Sequence, residues 1–280
     1  MDEDPKEKPY DLRLISLGAG VQSSAMYLMA CEGELTPMPS VAIFADTQAE
    51  PPWVYEHLEW LGKNFGHVIP INRCTSGDLL QNLYEGEEGR KGFAQIPAHL
   101  KGETTHGISR RGCTGDYKIK PIQREVRRLL GLEKGERAKG KYRVQQWIGI
   151  SLDEIQRAKP SDISWIERHY PLIFDRPTDR AECSHWMRQR GYPVPRKSSC
   201  YFCPYHDDRA WRELRDDAPL YFARAVQIDE DLRSGKMRAS EGLVKQQFLH
   251  SGLEPLGETK FKNEDQLDLF TNECEGVCGV

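Results

Sequence analysis

Short apolar runs, each closed by small or polar residues, organise the first part of the chain. Leu12 to Leu17 is such a run and ends in Gly18-Ala19-Gly20. A helical pattern follows from about Gln22 to Glu32, with Ala25, Met26, Leu28 and Met29 apolar, so the segment reads as strand, glycine loop, helix. Val41 to Ala45 reads as a second buried strand, closed by Asp46-Thr47-Gln48. Pro52 opens a helix that runs to about Phe65 and carries Trp53, Leu58, Trp60 and Leu61; proline in a first turn is a normal start signal. Val68 to Ile71 reads as a third strand. Gly86 to Gly112 is rich in glycine and charge with weak periodicity, and reads as a long loop. Pro121 to Leu130 looks helical and basic, Gly135 to Lys141 is a turn-rich break, and Val144 to Ile150 is a fourth strand.

Regular alternation of strand and helix from Leu12 to Ile71 predicts an α/β fold, doubly wound, with a mainly parallel sheet and helices on both faces. After about Pro160 the pattern changes: prolines become frequent and strands rare. The expected division is a nucleotide-binding domain over residues 1–160, a smaller helical, loop-rich cysteine region over 161–257, and a polar tail over 258–280.

Composition narrows this picture little. A chain of 280 residues, 38% hydrophobic and 29% charged, suits a soluble globular protein. The formal charge of -4 argues against a generally basic nucleic-acid coat and leaves a local basic face open. No apolar run approaches a membrane span, and the acidic start Met1-Asp2-Glu3-Asp4-Pro5 is unlike a signal peptide, so a cytoplasmic protein is expected.

Chemistry first enters at Ser16-Leu17-Gly18-Ala19-Gly20-Val21-Gln22-Ser23-Ser24. Glycines let backbone approach a phosphate, and the following helix N-terminus offers free N–H groups and a positive dipole end. The plainer reading is a glycine turn of any α/β protein. No Gly-Lys-Ser/Thr follows, so this is not a Walker loop.

The segment resembles the PP-loop of adenine nucleotide α-hydrolases, with Gln22 where many members carry Asp, a departure shared by the PAPS-reductase-like family. Further resemblances follow in order. Phe44-Ala45-Asp46-Thr47-Gln48-Ala49-Glu50 is similar to the Asp-Thr-Gly segment closing the second strand, with Gln48 in place of Gly. Cys113 to Pro121 resembles a Cys-…-Lys-x-x-Pro stretch that includes Lys118. Trp147-Ile148-Gly149-Ile150-Ser151-Leu152-Asp153-Glu154 with Arg157 resembles a Gly-x-x-x-x-Glu-…-Arg strand end, and Tyr170-Pro171-Leu172-Ile173 a Pro-Leu-x-x-Trp segment. These matches span roughly residues 12 to 205. They imply a five-stranded parallel sheet with an adenine nucleotide over the strand ends, held by Ser16, Gly18, Gly20, Gln22, Ser23, Ser24, Asp46, Gly149 and Lys118. ATP with Mg2+, cleaved between the α and β phosphates to adenylylate an acceptor, is the activity this implies; reduction of a sulfated nucleotide is the alternative.

Ser199-Cys200-Tyr201-Phe202-Cys203-Pro204-Tyr205-His206 is the sharpest local motif. Cys-x-x-Cys lets two thiolates converge on one metal, and Cys-Pro is a feature of ferredoxin-like cluster binding. Spacing, together with similarity to cluster-bearing sulfur-transfer members such as the DNA phosphorothioation enzyme, makes Cys113, Cys183, Cys200 and Cys203 the expected ligands of a [4Fe-4S] cluster. A structural zinc site of Cys200, Cys203, His206 and Cys183 or Cys113 is the competing reading. His206 reads equally as a surface residue, and Cys31 and Cys74 as small hydrophobes.

Cys274 and Cys278 close the chain on a polar tail. PAPS reductases end in a tail carrying Glu-Cys-Gly; Glu273-Cys274 is similar, although Gly does not follow directly. A dithiol of this kind can carry a persulfide and release it by forming a disulfide, and the pair is the expected catalytic group. A frayed terminus with two incidental thiols is the alternative.

Arg110, Arg111, Lys118, Lys120, Arg124, Arg127 and Arg128 surround Cys113, while Arg188, Arg190, Arg196 and Lys197 flank the cysteine loop. Those before Pro121 read as phosphate ligands and those after it as a solvated face; together the two groups also suit tRNA or DNA. The expected enzyme therefore uses an adenine nucleotide, a nucleic-acid acceptor and a sulfur donor or thiol reductant, with a homodimer as the assembly entertained. A non-catalytic nucleotide-sensing subunit of a modification or defence complex is the reading from a different class.

Overall fold

The computed structural model describes residues 9–85, 96–102, 106–237 and 246–262. In chain order the elements are β1 (Leu12–Ser16), α1 (Val21–Cys31), β2 (Val41–Asp46), α2 (Pro52–Phe65), β3 (Ile71–Thr75), α3 (Leu79–Glu85), β4 (His99–Lys101) and β5 (His106–Ile108). There follow a π-helical turn (Gly115–Ile119), α4 (Lys120–Leu129), β6 (Val144–Ile148), a 3-10 turn (Leu152–Arg157), β7 (Ile166–His169), α5 (Pro171–Phe174), α6 (Arg180–Gln189), α7 (Asp208–Asp217), α8 (Pro219–Arg233) and β8 (Gln246–Phe248).

Five strands form one parallel sheet in the order β3-β2-β1-β6-β7. The chain builds outward from β1 through β2 to β3, then crosses to the other side of β1 to lay down β6 and β7. The strand order thus reverses between β1 and β6, which is where doubly wound sheets open a crevice at their C-terminal ends. The glycine loop leaves β1 there, and Gly149 to Arg157 leaves β6 there.

Strand alternation sorts the two faces of the sheet. Leu14, Ile43, Val144 and Ile166 pack under Ile122 and Val126 of α4. Ile15, Phe44 and Trp147 point to the other face, where α1, α2 and α6 cover them. Helix α1 is buried from Val21 to Ala30, as a helix enclosed by sheet and helices must be.

A second core lies beyond the strand ends. Tyr201, Phe202, Trp211 and Leu214 pack with Ile228 and Leu232 of α8 and with Ala49, Leu79 and Leu83 from the first half of the chain. Asp207 caps α7, accepting from Ala210 N at 2.7 Å. Asp229, fully buried on α8, accepts from the backbone N–H of Leu249 at 2.8 Å and of Leu256 at 3.0 Å, and so fastens the segment after β8 to the helices.

The structure departs from the sequence reading in three places. The third strand begins at Ile71 because Pro70 has no N–H to give the ladder, while its carbonyl accepts from Ala42 N at 2.9 Å. The fifth strand, β7, was not separately anticipated. Within the stretch expected to be a long loop, β4 and β5 pair antiparallel, and β8 joins β4 to give a small second sheet, β5-β4-β8. Among the described residues no helix is long and apolar enough to cross a membrane.

Candidate functional site

The glycine loop turns on Ala19, whose φ of 57° is left-handed, and Gly20 is the extended N-cap of α1. A non-glycine residue in that region is strained. Gln48, φ 60°, repeats the feature after β2, so two of the strand ends that frame the crevice carry it. Ser23 braces the loop from inside: its Oγ accepts from Gly18 N at 3.3 Å and donates to Gly20 O at 3.4 Å.

Most side chains expected at the nucleotide are already engaged by protein. Ser16 Oγ accepts from Gln146 at 2.6 Å. Ser24 is fully buried with its Oγ 2.9 Å from His57 Nε2, so it belongs to the core. Burial holds the His57 imidazole down to a pKa of about 4. Gln22 bridges three elements: its Nε2 donates to Glu154 at 3.0 Å and to Ser151 at 3.4 Å, and its Oε1 accepts from Arg180 at 2.9 Å. Glu154 in turn pairs with Arg157. Asp46 accepts from Gln48 N at 2.8 Å and from the Tyr55 hydroxyl at 2.9 Å, stiffening the turn after β2. Gly149 is buried just past β6. What the loop presents to a ligand is therefore chiefly backbone.

A shallow pocket lies against this loop, lined by Ser16, Leu17, Gly18, Phe44, Ala45, Lys118 and Ile122. Beside it lies a second, larger cavity. Cys113, Cys200 and Cys203 line it together with Thr47, Arg111, Thr114 and Lys118, and Leu79, Ile96, Pro97 and Phe202 supply apolar wall. Lys118 lines both spaces. Its Nζ lies 3.6 Å from Glu50, and both side chains are buried. Thr114 Oγ1 is buried with no hydrogen-bond partner among the described residues, so the cavity wall holds a hydroxyl available to a ligand.

The cysteine loop is fastened to the turn after β2. Tyr201 N donates to Ala49 O at 2.9 Å, and Cys200 Sγ lies 3.3 Å from Thr47 Oγ1. Cys203 N donates to Cys200 O at 2.9 Å, closing the Cys-x-x-Cys turn. His206 is buried and not on the surface: its Nε2 lies 2.7 Å from Ser199 Oγ, its ring meets the Trp211 ring edge-on, and burial lowers its pKa to about 3.

The expected four-cysteine ligand set is not assembled by the described residues. Three of its members share the cavity, but Cys183 is fully buried on α6, in the core formed with α1. Its place at the fourth position of a helix starting at Arg180 turns it toward that core. Among the described residues no three His, Cys, Asp or Glu side chains converge closely enough to hold a metal. As placed, the described residues bring Cys113, Cys200 and Cys203 to one cavity and leave Cys183 apart from them. Cys274 and Cys278 lie outside the described residues. Cys31 and Cys74 pack against the cores, and burial raises their pKa values to about 11 and about 12.

The basic residues are largely engaged at home. Lys120 pairs with Asp116, Arg124 donates to Ser76, Arg127 donates to the carbonyls of Glu133 and Glu136, and Arg128 pairs with Glu125 at 2.7 Å. Arg190 pairs with Glu32 at 2.8 Å, Arg196 with Asp217 at 2.5 Å, and Lys197 donates to Tyr205 O at 2.8 Å. Arg111 faces the cavity with its guanidinium 4.8 Å from the Tyr205 ring centre.

Sequence reasoning missed Glu50, although it stands in the quoted Asp46 to Glu50 segment. Its role depends on a lysine 68 positions away, which no local pattern reveals.

No protein-family model matches the chain, and neither does any curated protein. Among solved structures, it is distantly similar to the phosphate complex of phosphoadenylyl-sulfate (PAPS) reductase from Candida auris. The two are 16% identical over 68% of this chain and 77% of that one, with a TM-score of 0.38.

Proposed function

We propose that this chain is an enzyme that binds an adenine nucleotide on the glycine loop and performs sulfur chemistry in the adjoining cysteine cavity. The observation that carries the reading is Lys118, one buried ammonium lining both the phosphate-loop pocket and the cavity with three thiols. A nucleotide with its phosphates on the backbone amides of Gly18 to Gln22 would have its reacting end directed past Lys118 toward Cys113, Cys200 and Cys203. The order of the sequence resemblances and the doubly wound sheet support the nucleotide half; the three cavity thiols support the sulfur half.

In the favoured form of the reaction an acceptor oxygen attacks the α-phosphorus of ATP and pyrophosphate leaves. A sulfur nucleophile then displaces AMP from the adenylylated acceptor. Loop amides and Lys118 would stabilise the charge that develops on phosphate oxygens. Cys274 and Cys278 are proposed as the sulfur carriers. A nucleic-acid acceptor rests on the resemblance alone, because the basic residues that suggested it are mostly engaged within the chain. No step is routed through a metal.

Product analysis tests this. Pyrophosphate from ATP, lost in Lys118→Met, supports sulfur transfer. Sulfite from a sulfated nucleotide, with no pyrophosphate from ATP, replaces it with the reductase reading. Neither product, with tight nucleotide binding, makes the chain a sensor. Cys274→Ser should abolish turnover and spare nucleotide binding; undiminished turnover removes that residue from the mechanism. Iron, sulfide and zinc content of protein purified without oxygen tests the metal expectation separately. Cys183→Ala should leave any bound metal in place.

A further inference from the structure

On the α4 side of the sheet an apolar layer gives way to a polar one. Val144 of β6 and Ile166 of β7 stand side by side and pack with Ile122 and Val126. Two residues further along each strand, on the same face, the register pairs Gln146 with Arg168. Both line a third pocket, between α4 and the β7 edge of the sheet. Ile119, Ile122, Ile163 and Ile166 supply its apolar walls, and Gln123 of α4 adds a second carboxamide.

Arg168 is half satisfied there. Its side chain is 8% exposed. Nη1 donates to Pro160 O at 3.0 Å and to Lys159 O at 3.5 Å. Nη2 lies 4.0 Å from Asp162 Oδ2, too far for a hydrogen bond, and that carboxylate is 77% exposed. Nε and Nη2 therefore have no hydrogen-bond partner among the described residues. Gln146 commits its Nε2 to Ser16 Oγ, and its Oε1 accepts from no described residue. A guanidinium withdrawn from water needs acceptors, and the pocket is the space in which a ligand can supply them.

The Nε–Nη2 edge presents two N–H groups side by side, which match a pair of adjacent acceptors. Guanine carries such a pair in O6 and N7, and arginine takes both at once. Its ring N–H can then donate to Gln146 Oε1, and its flat faces suit isoleucine walls. We propose that this pocket binds a 6-oxopurine base, guanine in the first place, with Arg168 as its reader. Adenine is rejected because its 6-amino group would turn a donor toward the guanidinium. Ile122 also lines the glycine-loop pocket, as does Ser16, the partner of Gln146. A base here lies next to a nucleotide there, in the place of a guanine-bearing acceptor. That assignment, unlike the pocket itself, rests on the proposed function.

Guanosine, inosine and adenosine are titrated into the full chain by calorimetry. Guanosine and inosine should bind, and adenosine about tenfold more weakly or worse. Arg168→Met should abolish guanosine binding and leave ATP affinity unchanged, and guanosine should still bind protein saturated with ATP. Gln123→Phe fills the pocket from the α4 wall without altering Arg168 and should have the same effect. A merely structural Arg168, holding the carbonyls of Lys159 and Pro160, would give no selectivity between bases.

Absence of guanosine binding, equal affinity for adenosine, or guanosine binding retained in folded Arg168→Met overturns the inference. If that variant does not fold, Gln123→Phe decides, and undiminished guanosine binding overturns it. Simple displacement of guanosine by ATP would place the base on the glycine loop and overturns it as well. Guanosine bound without ATP removes the nucleotide reading and the acceptor assignment but keeps the pocket; ATP bound without guanosine does the reverse.

Discussion

His57 shows how a buried titratable side chain ties the glycine loop to acid stability. Its ring accepts or donates one bond to Ser24, and burial lowers its pKa from the ordinary 6.5 to about 4. The unfolded chain takes up this proton near the ordinary value, and the folded chain only near the depressed one. The contribution to stability is therefore complete above 6.5 and is lost as the pH falls toward 4. The loss should reach on the order of 3 kcal/mol, and His57→Gln should flatten thermal denaturation profiles across that window. Thiol chemistry offers a second test at this scale. Cys31 and Cys74, with pKa values raised by burial, should resist iodoacetamide in mildly alkaline buffer under native conditions and react after denaturation. Mass spectrometry of the alkylated peptides reads both. The apolar surroundings of these two thiols were legible in the sequence, since neither has a cysteine neighbour. The burial of Cys183 was not, because a ligand and a core residue look alike until the face of α6 is known.

Elements were most legible where one short stretch contains its own signals. Strand β1, the glycine loop and α1 were visible because an apolar run, small residues and helical spacing follow one another. Strand β3 was displaced because Pro70 interrupts an apolar pair, and the strand proper carries Asn72, Arg73 and Thr75 at the sheet edge. Strands β4, β5 and β8 were invisible: each has three residues, and β4 pairs with β8 across more than half the chain. The segment after β8 depends on Asp229, whose carboxylate answers two buried N–H groups and Arg233 Nε at 3.2 Å. Asp229→Ala should cost about 3–5 kcal/mol and speed hydrogen exchange at Leu249 and Leu256 well before that at β1. Equal exchange at both places would mean that the clamp does not hold the segment locally.

Across the whole molecule, the boundary expected near residue 160 does not divide the packing. Leu172, Trp186 and Met187 complete the core over the sheet, and Ala49, Leu79 and Leu83 complete the one around α7 and α8. A fragment ending at residue 160 would leave both cores open. It should fail to show cooperative unfolding by calorimetry, whereas the full chain should melt as one unit. The Cys-x-x-Cys loop is a local pattern, yet its placement beside the turn after β2 is a product of these shared cores. That is why the three thiols were recognisable and their neighbour Glu50 was not.

Lys118 belongs to two chambers at once, and this bears on how a reaction there would finish. A single molecule that spans them shares one ammonium along its length without conflict. Once it is split, two separate anions compete for that charge, and occupancy of either chamber weakens the hold on the other. Cleavage would itself loosen both fragments, so the site would clear without a separate motion to expel them.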